Sequence, residues 1–496
     1  MTAHRLHGIV LTAALLLTAC TGGGGAVVDA TSDASLDATS DASPDAAAGQ
    51  DSVTDTGIGD AGTDVPRIPV KISKLAVIAH PANPLAAYVE WKTNVPASTT
   101  LGVDCGPDHR VEITTSGSRE VHRVFAMGLF DGAECVFTAT SVGSDDSSDE
   151  ALGSFTAGPL PEDLPIPELL FGALDVVQPG WTLFNLTNTF DNIPLHVVLV
   201  DSKGRYRWVH RRSGPYPGLD TDVRFTDQGI SIGGTTHQDT PSIIDWEGHI
   251  LWDGDFFNHH DFGPSPGKTG RFLAFTGEKD ACGWGFNSQV VVEHDLETKK
   301  NVWEWRLCEH WTPPQIIQDW SHLNTIDVFP GGDALLLSSR SQNTLFKVSY
   351  PGGELLWGLG EQGDFAYDPG MTFYHQHTPT LTPDGTILMF DNGLHDEREW
   401  SRALEISYDP QTKTAQKVWE FRPDPDIYAP VWGDADRLPN GNTLVVFGLW
   451  NPQEHTHLIE VAPDADDLWH LRFPKRWGVY RAQRIPEPLV GYIIKE

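Results

Sequence analysis

The sequence predicts an all-β protein in which a small β-sandwich precedes a six-bladed β-propeller. Two repeated features predict the propeller. A unit that ends in tryptophan recurs six times, and a Pro-X-Gly turn separates two apolar strands in several of these units. Upstream of them, short runs that alternate apolar and polar residues predict the sandwich.

The tryptophan unit consists of an apolar strand, a turn with Asp or Gly, and a second strand that ends in Trp. Its copies follow one another at intervals of roughly 44–62 residues, which suits a four-stranded blade. We interpret every repeated tryptophan as core packing between blades, and we assign residues 166–496 to the propeller. The tryptophans are Trp208, Trp252, Trp305, Trp357, Trp419 and Trp469.

The Pro-X-Gly turns indicate where the inner strands of the blades lie. Turns of this composition join two antiparallel strands in a hairpin. They occupy residues 330–332, 383–385 and 439–441, with a looser copy at residues 266–268. The strand before each turn is therefore expected to start beside the central channel.

Residues 68–160 are predicted to form a fibronectin-type-III-like β-sandwich. Residues 86–94 alternate in polarity and end just before Pro96, as the second strand and turn of such a domain do. No combination of side chains in this region points to catalysis. Its expected role is spacing, or packing against the larger domain.

The first 20 residues have the layout of a bacterial secretion signal. Arg5 precedes an apolar run at residues 9–17 that is too short to span a bilayer. Residues 17–20 resemble the lipobox of bacterial lipoproteins. The resemblance implies that signal peptide 1–19 is removed and that Cys20 is acylated. The alternative is an ordinary secretory signal with an incidental cysteine.

Residues 20–67 are rich in Asp, Ser and Ala and predict a solvated, disordered tether that holds the body off the membrane. Thr21 follows the cysteine, which favours anchoring in the outer membrane over retention in the inner membrane. The periplasmic side and the cell-surface side of the outer membrane both stay open.

The formal net charge of −34 excludes a nucleic-acid partner and electrostatic docking to anionic lipid. If lipid occupies Cys20, four cysteines remain in two near pairs. They predict the disulfides Cys105–Cys135 and Cys282–Cys308, as expected in an oxidising compartment. Each would close a loop of roughly 25–30 residues and contribute about 3–4 kcal/mol. No CxxC spacing points to a metal, and no cofactor is expected.

Three histidines stand at matched distances before the hairpin turns. His377 and His260 each lie six residues before the turn proline, and His322 lies eight residues before it. We therefore expect them to cluster in the channel. Asn324 shares a strand face with His322, and Arg340 ends the strand after that hairpin. A guanidinium beside imidazoles and an amide suits an anion with several equatorial oxygens.

Three further histidines are candidates for substrate binding. His237 is expected near the same mouth of the channel. His259 adjoins His260, and the irregular turn of that blade does not decide which of the two faces the channel. His375 lies two residues before His377 and is an alternative reacting residue, although the spacing to the turn proline favours His377.

Five phrases around these residues carry a family resemblance. The predicted propeller resembles the arylsulfotransferase family, the aryl-sulfate sulfotransferases that need no nucleotide donor. The resemblance implies that His377 is a transiently sulfurylated nucleophile, and that His260, His322, Asn324 and Arg340 bind the sulfuryl group. The phrases are His259-His260-Asp261, Asp319-Trp320-Ser321-His322-Leu323-Asn324, Ser338-Ser339-Arg340, Gln376-His377-Thr378 and Phe390-Asp391-Asn392-Gly393.

The expected reaction is ping-pong transfer of a sulfuryl group from a phenolic sulfate ester to a phenol, with a further imidazole protonating the departing phenolate. One rival is a metal-dependent hydrolase with the three histidines as ligands, although the nearby Arg340 counts against a cation there. A second rival is a non-catalytic surface module that binds a ligand in the channel. The natural donor and acceptor stay open, as does the oligomeric state, with a homodimer as one option.

Overall fold

A computed structural model describes residues 68–212, 218–219, 221–234, 240–448 and 451–486. All of them belong to one compact unit, Pro66–Glu496. The predicted signal peptide, the tether, Cys20 and His237 lie outside the described residues, and what we expect of them stays a prediction.

The described residues form an all-β structure, as predicted. Besides strands they contain two single turns of 3₁₀ helix, Leu307–Glu309 and Pro369–Met371. No helix among them is long and apolar enough to cross a membrane.

The first sheet contains five strands, in which β2 pairs with β1, β3 and β4, and β5 pairs with β4. The sheet folds over itself, so that Gly153 on β5 faces Leu75 and Val77 on β1. Buried Trp91 fills the fold and donates its indole N–H to Ser141 Oγ at 3.1 Å. The likeness to a fibronectin-type-III domain stays a prediction. The strands are β1 (Ile72–Ala79), β2 (Ala87–Asp104), β3 (Arg110–Ala126), β4 (Glu134–Gly143) and β5 (Ser148–Thr156).

Twenty-six further strands follow in the described residues. They are β6 (Glu168–Gly172), β7 (Trp181–Asn188), β8 (Ile193–Val200), β9 (Tyr206–Arg211), β10 (Val223–Thr226), β11 (Gly229–Ile232), β12 (Ser242–Ile244), β13 (Ile250–Asp253), β14 (His259–Pro264), β15 (Arg271–Lys279), β16 (Asn287–Asp295), β17 (Lys300–Trp305), β18 (Leu323–Val328), β19 (Ala334–Ser339), β20 (Thr344–Ser349), β21 (Leu355–Gly360), β22 (Ala366–Tyr367), β23 (His377–Leu381), β24 (Ile387–Asp391), β25 (Arg402–Asp409), β26 (Thr414–Phe421), β27 (Asp434–Arg437), β28 (Thr443–Phe447), β29 (His457–Val461), β30 (Asp467–Arg472) and β31 (Ala482–Ile485).

These strands form six sheets in the described part of the chain, each with a core of four antiparallel strands. Their orders are β10-β11-β12-β13, β14-β15-β16-β17, β18-β19-β20-β21, β22-β26-β25-β24-β23, β27-β28-β29-β30-β6 and β31-β7-β8-β9. The last sheet joins the C-terminal strand β31 to strands from the start of the region. This is the architecture of a β-propeller; six blades for the whole chain stays a prediction.

Hydrogen bonds between the side chains of one innermost strand and the backbone of the next connect these strands in a ring. In most of these bonds a backbone N–H donates to a side-chain oxygen of the preceding sheet. Because each bond links two different sheets, the ring fixes where every inner strand begins. The pairs are Phe262 to Asp222, Ile326 to Asp261, Leu381 to Asp327, Ala482 to Asp434 and Phe225 to Gln483, while the Thr378 hydroxyl donates to the Gly433 carbonyl.

Five of the six repeat tryptophans join neighbouring sheets farther out. Each donates its indole N–H to a backbone carbonyl of a turn in the next sheet, and Trp469 closes the circle by donating to Ser202. This arrangement agrees with the interpretation of these residues as packing between blades. The other donors and acceptors are Trp208 to Trp246, Trp252 to Leu296, Trp305 to Gly353 and Trp419 to Pro463.

Both predicted disulfides are confirmed. Cys105–Cys135 joins the end of β2 to β4, and Cys282–Cys308 joins the tip of the β15–β16 hairpin to the 3₁₀ turn after β17. The second disulfide packs in the same apolar cluster as Trp320. It therefore supports the segment that leads into His322.

Candidate active site

Three of the predicted histidines meet where neighbouring inner strands begin. His260 is the second residue of β14, His322 directly precedes β18, and His377 is the first residue of β23. The ring centroids of His260 and His322 are 4.9 Å apart, and those of His260 and His377 are 6.4 Å apart. Counting back from the hairpin turns thus identified side chains that lie together.

The backbone at this place is irregular. His260, His322 and His375 have φ angles of 61°, 37° and 52°, in the left-handed region that residues with a Cβ seldom adopt. The pairing of β14, β18 and β23 with the next strand also shifts register beside each histidine. Strained backbone and bulges persist only where the surrounding structure holds them in place, and they are frequent at functional sites.

Hydrogen bonds fix the tautomer of His377. Its Nδ1 lies 2.7 Å from Asn392 Oδ1 and 3.0 Å from the His375 carbonyl. Asn392 directs its oxygen to the ring because its Nδ2 donates to the carbonyls of Ala429 and Trp432, both at 2.6 Å. Both neighbours of Nδ1 are therefore acceptors, so Nδ1 carries the proton. The lone pair of the neutral ring is then on Nε2.

The other two histidines belong to a longer chain of hydrogen bonds. His260 Nε2 lies 3.1 Å from His322 Nε2, and His260 Nδ1 lies 2.9 Å from the Tyr480 hydroxyl. At the far side, His322 Nδ1 lies 2.5 Å from Asp319 Oδ2. Both imidazoles are thereby held by the protein on both ring nitrogens.

Burial is the first of the causes that keep the imidazoles of His377, His375 and His260 neutral. Burial, followed by the charge of Arg340, lowers the pKa of His377 well below 6.5. The same two causes lower the pKa of His375 to about 3. Burial, followed by the neighbouring histidines, lowers the pKa of His260 well below 6.5. Neutral imidazoles are the form that can act as a nucleophile or accept a proton.

Arg340 and Asn324 lie at the same place. Arg340 directly follows β19; its backbone N–H donates to the His322 carbonyl at 3.0 Å, and its guanidinium donates to the Pro430 carbonyl at 3.3 Å. Asn324 is buried and donates to the Gln376 carbonyl at 2.8 Å, directly before His377. Asn324 therefore positions the His377 segment, whatever else its amide binds.

The structure separates His259 from His260. His259 is half-buried and stacks on Phe275, with ring centroids 6.0 Å apart and an angle of 21° between the ring planes. His260 is 3% exposed and carries the contacts to His322 and Tyr480. His260 is thus the residue of this pair that joins the cluster.

Four residues beside the cluster were not predicted: Asp319, Asn392, Tyr480 and Arg481. Buried Arg481 pairs with Asp222 and Asp261 at 3.3 and 3.0 Å and donates to the Asn324 carbonyl at 2.8 Å. Asp319 and Asn392 lie within the family phrases, but no role followed from them. Tyr480 and Arg481 precede β31, which is followed by no Pro-X-Gly hairpin that would have marked it.

No group of three or more His, Cys, Asp or Glu side chains among the described residues has a geometry that could hold a metal ion. The nitrogens of His260 and His322 are bonded to protein partners, and Arg340 adds a positive charge beside His377. This arrangement suits an anion better than a cation.

A family model described as arylsulfotransferase (ASST) matches residues 182–477. The chain belongs to the arylsulfotransferase family. All five clustered residues, His260, His322, Asn324, Arg340 and His377, fall within the matched range.

Two curated relatives are named arylsulfate sulfotransferase AssT. The one from Escherichia coli O6:H1 is 27% identical over 171 residues, which cover 26% of this chain and 28% of the relative. The one from Lelliottia amnigena is 25% identical over 170 residues, with the same coverage. The match thus spans less than a third of the length of either relative.

Two solved structures that match this chain at low identity differ in how much of it they cover. The periplasmic gluconolactonase of Pseudomonas aeruginosa is 12% identical, covers 79% of this chain and all of its own, and gives a TM-score of 0.37. The β-propeller domain of Swd1 from Myceliophteria thermophila is 12% identical, covers 64% of this chain and 90% of its own, and gives a TM-score of 0.36.

Proposed function

We propose that this protein is an aryl-sulfate sulfotransferase that moves a sulfuryl group from a phenolic sulfate ester to a phenol through a sulfohistidine on His377. The observation that carries the proposal is the fixed tautomer of His377, with its proton on Nδ1 and its lone pair on Nε2. Family membership gives the same reaction class independently.

In the first half-reaction, Nε2 of His377 attacks sulfur and the bond from sulfur to the aryl oxygen breaks. By analogy with phosphoryl transfer, charge in the transition state lies on the equatorial and leaving oxygens. The Arg340 guanidinium and the Asn324 amide stabilise the equatorial oxygens, together with an imidazole of the cluster. In the second half-reaction, the oxygen of an acceptor phenol attacks the sulfur and the bond from sulfur to Nε2 of His377 breaks. A further imidazole of the cluster, which gave its proton to the departing phenolate, takes the proton of the acceptor phenol.

The proposed organisation extends to the parts outside the described residues. We infer a lipoprotein signal at residues 1–19, a tether at 20–67, a sandwich domain at 68–160 and a catalytic propeller at 166–496. Two disulfides support export to an oxidising compartment. Acylation of Cys20 would anchor the protein, with the outer membrane as the proposed site. Metabolic labelling with a radioactive fatty acid tests this: label should be lost in Cys20→Ser.

A trapped adduct tests the proposed reaction. The full chain is mixed with an aryl sulfate donor in the absence of phenol, quenched and analysed by peptide mass spectrometry. We expect a sulfated His377 and one equivalent of released phenol, and addition of a phenol acceptor should discharge the adduct. Active enzyme without a sulfated His377 would contradict the assignment.

A parallel assay separates the rivals. Activity that survives treatment with a chelator, and phenol release that rises with acceptor concentration, are expected for the transferase. Loss of activity on chelation, restored by zinc, would support the hydrolase instead. Donor binding without turnover would support the non-catalytic module.

A further inference from the structure

The turn that follows β19 contacts two sides of the candidate active site. Arg340 begins this turn, and its carbonyl accepts the backbone N–H of Asn343 at 3.2 Å. Arg340 also donates its own N–H to the His322 carbonyl at 3.0 Å. Asn343, which closes the turn, has a φ angle of 48° and is 8% exposed. The turn that carries the Arg340 guanidinium therefore ends on a buried amide.

The Asn343 side chain is held at both of its polar atoms. Its Oδ1 accepts the backbone N–H of His375 at 2.9 Å, and its Nδ2 donates to Glu361 Oε2 at 2.6 Å. The backbone N–H of Glu361 in turn donates to the Asn343 carbonyl at 3.0 Å. Because only the amide nitrogen can donate to a carboxylate, the amide oxygen must face His375.

The backbone of His375 depends on such a partner. Its φ angle of 52° lies in the left-handed region, which residues with a Cβ adopt seldom and keep only where their surroundings hold them. In this conformation the His375 carbonyl lies 3.0 Å from Nδ1 of His377. If the His375 N–H lost its acceptor, rotation of this residue would turn its carbonyl away from the ring. Asn392 would then hold Nδ1 without that second acceptor.

Other bonds hold the same segment but not the same carbonyl. Gln376 Nε2 donates to Ser338 Oγ at 3.0 Å and to the Ser339 carbonyl at 3.1 Å. Asn324 donates to the Gln376 carbonyl at 2.8 Å. These bonds keep the segment against β19 when Asn343 is changed. A substitution of Asn343 should therefore turn the His377 ring without detaching its strand.

We propose that Asn343 is a positioning residue for the nucleophile, because it directs the His375 carbonyl at Nδ1 of His377. Since Asn343 also closes the Arg340 turn, it fixes the attacking Nε2 relative to the guanidinium. This inference rests on the proposed function and adds to it a residue that touches neither donor nor acceptor. A displacement of about 1 Å in such an arrangement costs roughly 10²-fold in rate.

The experiment measures the burst of phenol that the full chain releases from 4-nitrophenyl sulfate without acceptor. The maximal burst rate reports sulfuryl transfer to His377, and the donor concentration at half of that rate reports donor binding. Asn343→Gly removes the side chain and keeps the left-handed backbone allowed. We expect the maximal burst rate to fall roughly 10²-fold and the half-saturating concentration to change less than about threefold.

A reversed hydrogen bond supplies the rescue. Asn343→Asp keeps an acceptor for the His375 N–H but sets a carboxylate against that of Glu361, so the maximal burst rate should fall roughly tenfold or more. When Glu361→Gln is added, the new amide can donate to the new carboxylate. The double variant should reach a rate within about threefold of Glu361→Gln alone.

Asn192→Gly is the matched control. Asn192 also has left-handed backbone, with a φ angle of 55°, but it is exposed in the turn between β7 and β8, and both quantities should equal those of the wild type. If Asn343→Gly does not fold by circular dichroism, Glu361→Ala takes its place. That substitution at an exposed residue frees the Asn343 amide, and we expect a roughly tenfold loss of maximal rate at unchanged half-saturation.

An unchanged burst in Asn343→Gly would show that His377 does not depend on this contact. A raised half-saturating concentration at unchanged maximal rate would make Asn343 a donor-binding residue. A double variant no faster than Asn343→Asp would leave Asn343 a merely structural role. Each of these results overturns the inference while the wild type still forms its adduct on His377. A wild type that forms no such adduct overturns the proposed function, and this inference with it.

Discussion

Two neighbouring sets of polar side chains occupy the centre of the propeller, and they differ in what their atoms are free to do. The histidine cluster (His260, His322 and His377) lies where three inner strands begin. The carboxylate ring (Asp222, Asp261, Asp327 and Asp434) lies beside it. The pocket between the inner strands is lined by Asp222, Asp327 and Asp434, together with Arg224 and Arg481.

The four carboxylates are already engaged in hydrogen bonds and ion pairs that hold the fold together. Each accepts a backbone N–H from the next sheet, at distances from 2.7 to 3.3 Å, and Arg481 bridges two of them. Within the described part of the chain, the His377 ring instead is held only through Nδ1 and keeps a lone pair on Nε2. The comparison teaches that a polar centre alone does not mark an active site. An active site is marked instead by an atom that keeps a free lone pair, such as Nε2 of His377, while hydrogen bonds hold the groups around it in place.

We expect the largest effect on activity from a substitution that removes Nε2 of His377. His377→Ala should lower kcat by on the order of 10⁴-fold or more, because a nucleophile and its supporting groups act as one unit. Phenol release from an aryl sulfate measures the rate. His249→Ala, which removes an exposed histidine on β-turn structure far from the inner strands, is the control and should keep full activity. A His377→Ala variant with more than a tenth of wild-type activity would move the nucleophile elsewhere, with His375 the next candidate.

The second effect concerns the anion-binding side of the cluster. Arg340→Ala should lower kcat/KM roughly 10²–10³-fold, the usual loss for one donor to a developing charge. Arg340→Lys should lose less, but it should not restore the wild-type rate, because an ammonium cannot offer the forked pair of donors. Arg422→Ala, which breaks an exposed ion pair with Asp426, serves as the control. Equal rates for Arg340→Ala and the control would remove Arg340 from the site.

The carboxylate ring should respond in the opposite way. Asp327→Ala leaves the Leu381 N–H without its acceptor, and we expect the free energy of unfolding to fall by about 1–3 kcal/mol. The turnover of the folded variant should stay within about threefold of wild type, because no step of the reaction uses this carboxylate. Urea unfolding and the phenol assay measure the two quantities. Asp384→Ala, on an exposed hairpin turn, is the control. A large loss of rate at unchanged stability would contradict the division between the two sets.

A residue of the histidine cluster or its surroundings could be predicted from the sequence only where a hairpin turn follows its strand. His260, His322 and His377 were located because a hairpin turn follows each of their strands at a nearly constant distance. Tyr480 and Arg481 were missed because the strand that follows them, β31, pairs with β7, which comes from the beginning of the propeller sequence. No hairpin turn links these two strands.

Alternation along a strand could not separate His259 from His260. The register of β14 shifts between His259 and Phe262, so the usual rule of opposite faces fails at that point. The disulfides were predictable from cysteine spacing and a redox argument alone. The tautomer of His377 was not, since it depends on Asn392 and on two carbonyls that only the folded chain brings to it.

We expect the smallest effect when the pH is changed. The pH dependence of the reaction rate tests whether Nε2 of His377 stays unprotonated. Burial and the charge of Arg340 lower the pKa of His377 well below 6.5, and lowering the pH stops the reaction only when Nε2 gains a proton. The rate of the first phenol burst with 4-nitrophenyl sulfate should therefore change less than about threefold between pH 7.5 and pH 5.5. In Arg340→Ala one cause of the low pKa is gone, so the acid limb should move to higher pH, while Arg340→Lys should keep it in place. If the burst rate of the wild type already halves near pH 6.5, His377 titrates like an exposed histidine. That result would contradict the claim that its surroundings keep Nε2 unprotonated.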